Sequence, residues 1–280
     1  TNELMGLLGD GVCVGNWAKG QMTLESHLLG DASWRFANDA PRYDIDLAMT
    51  TRSGDVRYWR KLLGCGITDI EALAIRQLSG AGKLSSQELL AIERDSQSAV
   101  LRLEAFVSLK RRADASLTEA IRLGLEDDYE LLQRLAALTA AVSGDPALEE
   151  TVQKLSEAPA TSPRVAFHLK GGLPAWRPSA HLLEEFRALT DSAATLRDKR
   201  FTVQAQRNNC NPFCVGPMLQ WFRQCDDAQM RRDIAETLGW YRYSYKKQEI
   251  LEACRALLGE EKDSAVRSEI EKTLRRLTDK

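Results

Sequence analysis

The sequence predicts an all-α protein, an α-solenoid of stacked antiparallel helix pairs behind an irregular N-terminal cap. Three observations predict it. Leu183–Leu189, Leu219–Cys225 and Leu251–Leu257 align without gaps, their starts 36 and 32 residues apart. Each carries apolar residues at i, i+3 and i+6, a helical stripe, and an arginine at i+4. A second helix type alternates with it, marked by arginines at 102, 134, 164, 200, 232 and 267, each three residues before a small or apolar residue. A helical period of this length marks stacked hairpins, because one hairpin cannot bury its apolar face alone.

Two of the second-type helices carry a fuller pattern. Asp226–Arg232 and Asp128–Arg134 each place an acid at the helix start, an arginine six residues later and an alanine three beyond that. The acid suits free N–H groups at a helix start. The pattern resembles the first helix of HEAT-type repeats, over roughly residues 96–280. The resemblance implies architecture more than activity. It also implies that one helix type lines an inner, partner-binding face.

Taken in order, residues 1–66 do not fit the repeat and are expected to form an irregular N-terminal cap, because a solenoid's end must face water, or else a segment of a preceding domain. Within it, a helix is expected over Met22–Leu29 and another over Asp55–Leu63. Tyr43–Met49 reads as a short strand or a first helical turn. Residues 67–280 carry the repeats. Thr68–Leu78 and Ser85–Ile92 form the first hairpin. The intervening Gly80–Ser85 lacks the glycine and the Ser/Thr that a phosphate-binding loop requires, with Gln77 and Leu84 in those places. Helices follow over Ser96–Arg111, Ser116–Leu125, Tyr129–Ala141 and Pro146–Ser156. Asp145-Pro146 reads as an N-cap with proline at N1. Further helices are expected over Pro163–Gly171, Ser179–Leu189 and Ala193–Arg207, then a break at Asn208–Pro217.

Composition bounds the function. The chain has 280 residues, is 44% hydrophobic and 28% charged, and has a net charge of −2. No apolar run approaches the roughly 18 residues of a membrane span. It begins at Thr1 rather than Met, which reads as a processed protein or a fragment. Residues 1–159 carry 17 Lys and Arg against 24 Asp and Glu; residues 160–280 carry 21 against 16. The basic half admits a polyanion partner without the charge of a dedicated nucleic-acid binder.

Candidate chemistry is sparse. His27, His168 and His181 make no metal-binding spacing and read as hydrogen-bonded structural histidines. The paired acids Asp127/Asp128 and Asp226/Asp227 read as helix starts. Cys225 and Cys254 fall at apolar positions of the aligned segments and are expected to be buried, unpaired and protected from thiol reagents. Cys210 and Cys214 are placed to form a disulfide in an exported protein. No cofactor or metal site is expected. The repeated arginines read as hydrogen-bond partners between repeats, equivalent from one helix to the next.

One cluster stands apart. Trp221 aligns with Glu185 and Ala253, off the core stripe, and Trp240–Lys247 packs four aromatic rings and three cations into eight residues. Rings beside cations suit a partner surface. The candidate site is therefore Trp221, Trp240, Tyr241, Arg242 and Tyr243, against the alternative that these rings fill a large turn. The leading functional reading is a non-enzymatic scaffold binding a protein or peptide through its concave face, with glycan or nucleic acid as further partners. The alternative is a helical-repeat enzyme acting on nucleic acid, similar in scaffold class to DNA glycosylases of alkylated purines.

Overall fold

A computed structural model describes residues 4–19, 29–39 and 41–278. The helix expected over Met22–Leu29, and His27 with it, falls outside these residues, Leu29 excepted. Among the described residues there are α-helices and three short 3-10 turns, with no strand. The chain divides into two compact units, Thr1–Leu109 and Lys110–Lys280.

The first unit opens with α1 (Gly6–Gly9), α2 (Val14–Lys19), α3 (Ile45–Thr51) and α4 (Val56–Leu62). The strand alternative for residues 43–49 does not form; Asp44 caps the Leu47 N–H and starts a helix instead. Asp46 organises this region. Its carboxylate, 6% exposed, accepts the Cys13 N–H at 2.9 Å and the Asn16 amide at 2.8 Å, and pairs with Arg35 at 2.7 Å. Burial would raise its pKa, but these bonds hold it below the ordinary value. Next come α5 (Thr68–Gly80), α6 (Ser86–Asp95) and α7 (Ala99–Arg112). Ser85 and Glu88 form a reciprocal capping box at the start of α6. Ile70, Leu73, Ile75, Leu78, Leu89 and Phe106 are buried. The boundary expected at residue 66 lies inside this unit, between α4 and α5, which pack together.

The second unit is the expected solenoid. It holds α8 (Leu117–Glu126), α9 (Glu130–Ser143), α10 (Glu149–Glu157), α11 (Pro163–Gly172), α12 (Ala180–Arg187), α13 (Leu196–Asn209), α14 (Val215–Gln224), α15 (Ala228–Leu238), α16 (Lys247–Glu260) and α17 (Ser264–Thr278). The pairs α8 and α9, α10 and α11, α14 and α15, and α16 and α17 form hairpins, and α9 packs on α11, α13 on α15, and α15 on α17. The aligned stripes are core: Phe186 and Leu189, then Leu219, Phe222 and Cys225, then Leu251, Cys254 and Leu257 are all buried. Cys225 and Cys254 are free thiols, as are Cys210 and Cys214. Burial pushes the Cys254 thiol up to about 11 and the Cys210 thiol up to about 12.

The arginine series is not uniform, which corrects the expected equivalence. Arg102 donates to the Ser96 carbonyl at 3.0 Å and Arg267 to the Glu261 carbonyl at 3.0 Å, each six residues back at the end of the preceding helix. In α15 that role falls to Arg231, which reaches the Cys225 carbonyl at 2.8 Å; Arg232 lies one residue out of register. Arg200 pairs forward with Asp233 at 2.9 Å. Arg164 is exposed and its marker Phe167 points outward, 74% exposed. The common task is C-terminal capping by a cation, and it follows helix register rather than the spacing of one residue type.

Candidate functional site

The turns between helices of the second unit share a local grammar. Ala113, Gly144 and Cys210 adopt left-handed φ of 49°, 58° and 46°. Each precedes Asp114, Asp145 or Asn211, whose side-chain oxygen accepts the N–H two residues on, at 2.9, 2.9 and 3.0 Å. Such Asx turns pre-form the entry to the next helix. The turns are then laced together. Trp176 Nε1 donates to the Asp145 carbonyl at 2.8 Å, Asn211 Nδ2 to the Pro174 carbonyl at 2.9 Å, and the Tyr241 hydroxyl to the Asn211 carbonyl at 3.1 Å.

This lacing decides where the aromatic cluster goes. Tyr241 is fully buried, its hydroxyl locked in the ladder, so it cannot touch a partner; that part of the expected patch is corrected. Trp240 is 53% exposed. Trp221 is half-buried against the core, and its ring carries the Lys199 ammonium 3.6 Å from its centroid. Arg242 and Tyr243 turn elsewhere, toward the end of α7. Arg242 Nη2 donates to the Arg111 carbonyl, and Lys247 Nζ to the Ala113 carbonyl at 3.0 Å. Lys110 Nζ sits 5.2 Å from the Tyr243 ring. The five residues therefore do not make one surface.

Arg242, Tyr243 and Lys247 instead border a cavity of about 640 Å³. Its other walls include Thr118, Ser143, Tyr245 and Gln248. The Tyr245 N–H donates to the Ser143 carbonyl at 3.0 Å, tying two of the lining turns together. Two helix N-termini open on it, those of α8 and α16, and neither has a side-chain cap. Asp114 already accepts the Ser116 and Leu117 N–H groups and Ser244 the Lys246 and Lys247 N–H groups, so what each first turn offers the cavity is chiefly the positive end of its helix dipole. Two acids also line it, but both are engaged locally: Asp145 accepts Thr118 Oγ1 at 2.6 Å and Asp114 accepts the Ser116 N–H. The cations are held by carbonyls at the C-terminal end of α7, and Arg242 Nε is buried without a hydrogen bond. Burial, then the Arg242 charge, hold the Lys247 ammonium below its ordinary pKa, with Asp114 opposing. Sequence reading found Arg242 and Tyr243 by ring and cation density. It counted Lys247 among the cations of that stretch without choosing it as a site residue, and it missed Thr118 and Ser143, which lie more than 95 residues away in sequence.

Among the described residues no group of three or more His, Cys, Asp or Glu could hold a metal. No described helix is long and apolar enough to cross a membrane. No family model and no curated protein matches the chain. A solved structure of human deoxyhypusine hydroxylase in complex with glycerol is similar at 16% identity. The match covers 84% of this chain and 99% of that one, with a TM-score of 0.35. The burial of Tyr241 removes the centre of the concave-face patch on which the expected non-enzymatic scaffold rested. The scaffold reading is accordingly corrected. A likeness this loose assigns no reaction to this chain.

Proposed function

We propose that the chain acts by binding a small multivalent anion in the cavity between the 113–118, 143–145 and 242–248 turns. The observation that carries this is convergence: two uncapped helix N-termini and two cations held by backbone carbonyls open on one cavity. Helix N-termini are ready anion sites, and arginine with lysine adds direct charge-assisted bonds. The volume lies within the range of small-molecule sites, roughly 300–1,000 Å³. Thr118, Ser143 and Gln248 at the walls suit oxygen-rich ligands such as polycarboxylates or phosphate esters.

The test is calorimetric titration of the whole chain with citrate, pyrophosphate and benzenetrisulfonate. At least one should bind, with Arg242→Gln and Lys247→Gln each weakening it by ten-fold or more, about 1.4 kcal/mol. Absence of binding by all three at 10-millimolar order, or binding unchanged in both variants, overturns the reading.

A further inference from the structure

A second cavity, of about 450 Å³, lies between α9, α11 and α13. It exists because the solenoid skips a step there. The helices on either side pack closely, α9 on α11 and α13 on α15, but α11 and α13 do not. The intervening α12 is short and buries only Phe186. The sequence shows the same break as the 36-residue gap from Arg164 to Arg200, one of the longest in the series.

The walls are chemically specific. Among the described residues no Asp, Glu, Lys or Arg lines this cavity. Leu138 and Phe167 line it and remain 43% and 74% exposed, large apolar side chains left open where a regular repeat would cover them. The Phe167 ring is held edge-on to His168, centroids 5.6 Å apart, which leaves a ring face for stacking. Gln206 is 2% exposed, and its Oε1 accepts the Asn211 N–H at 3.1 Å. That bond fixes which end of the amide is which. The residue lines the cavity, where its NH2 group is a donor for a ligand acceptor. Asn208 and Asn209, also lining the cavity, add amides that donate and accept.

We infer that this cavity binds a flat, neutral nitrogen heterocycle of nucleobase type, stacked on Phe167 with an acceptor edge on the Gln206 amide. The absence of a lining cation separates it from the anion site above and disfavours a phosphorylated form. The inference does not depend on the function proposed for that site.

Saturation-transfer NMR and titration of the whole chain with adenine, uracil and nicotinamide test it, with AMP and a single-stranded oligonucleotide as comparison arms. Gly171→Leu should fill the cavity without clash, because a Cβ at Gly171 meets no atom within 4 Å. Phe167→Ala removes an exposed ring and leaves the fold intact. At least one free heterocycle should bind, more tightly than AMP, and each variant should weaken it ten-fold or more at unchanged Tm. Tighter binding of the oligonucleotide than of any free base, no binding by the three heterocycles, or binding indifferent to both variants overturns the inference. If Gly171→Leu lowers the Tm, Phe167→Ala alone decides.

Discussion

Lys247 is the residue on which charge and geometry meet. In the folded chain burial and Arg242 depress its pKa below 10.5, whereas the unfolded chain restores it. The unfolded state therefore binds more protons in the alkaline range. The charged ammonium costs stability at neutral pH, and that cost disappears as pH rises through the depressed value toward 10.5. A bound anion reverses the shift, so binding draws a proton onto Lys247. Titrating benzenetrisulfonate, which does not itself titrate, should show net proton uptake between the depressed pKa and about 10.5, with affinity falling as pH rises through that window. Calorimetry in two buffers of different ionisation enthalpy measures the uptake. Lys247→Gln should remove it; uptake that persists in the variant would place the proton elsewhere.

At the scale of elements, the turns carry the specificity that the helices lack. Gly144 sits at φ 58°, and a Cβ there would meet Pro212 Cγ at 2.8 Å, a ring belonging to the Asn211 turn. Left-handed backbone costs an L-residue roughly 1–2 kcal/mol, and the clash adds to it. Gly144→Ala should therefore lower stability by about 2 kcal/mol or more in chemical denaturation, and loosen the ladder that seats Asp145 and Asn211. A loss under about 0.5 kcal/mol would show that the ladder has slack. Ala113 and Cys210 hold the same conformation without glycine, and Cys210 recovers part of the cost through a buried side chain. The helix ends follow a parallel logic. Arg231 caps one helix while gripping Glu261 at 2.8 and 3.1 Å, so a single side chain clamps two hairpins.

Across the whole molecule, four arginines of the C-terminal half are engaged by acids of the same half. Arg200 pairs with Asp233, Arg207 with Glu236, Arg231 with Glu261 and Arg276 with Glu269. The second unit also has its own core, a cluster running from Phe186 to Leu277 and backed by Val142, Leu182 and Leu274. Solenoid stability is a sum over neighbouring repeats, so a run of this length holds itself together once its first face is covered. A chain shortened to residues 96–280, keeping all of α7, should retain helical circular dichroism and unfold cooperatively. An unfolded or aggregating product would show that residues before 96 are needed for this core.

By itself the sequence determined the class of helix, the apolar stripes and the helix starts. Those depend on residues within one turn of each other, such as Phe222 with Leu219 and Cys225, or Ser85 with Glu88. It also registered the irregular step between Arg164 and Arg200 as a spacing. What only the tertiary structure decided is which side chains share a space. Trp221 and Tyr241 looked alike as candidate anchors. One became a platform for Lys199 and the other a sealed strut, because burial there is set by neighbouring repeats. Lys247 and Ala113 meet across 134 residues, and Arg242 and Arg111 across 131. Local periodicity holds no record of such pairs, because the small rotation added at each turn accumulates over several repeats before it brings them together.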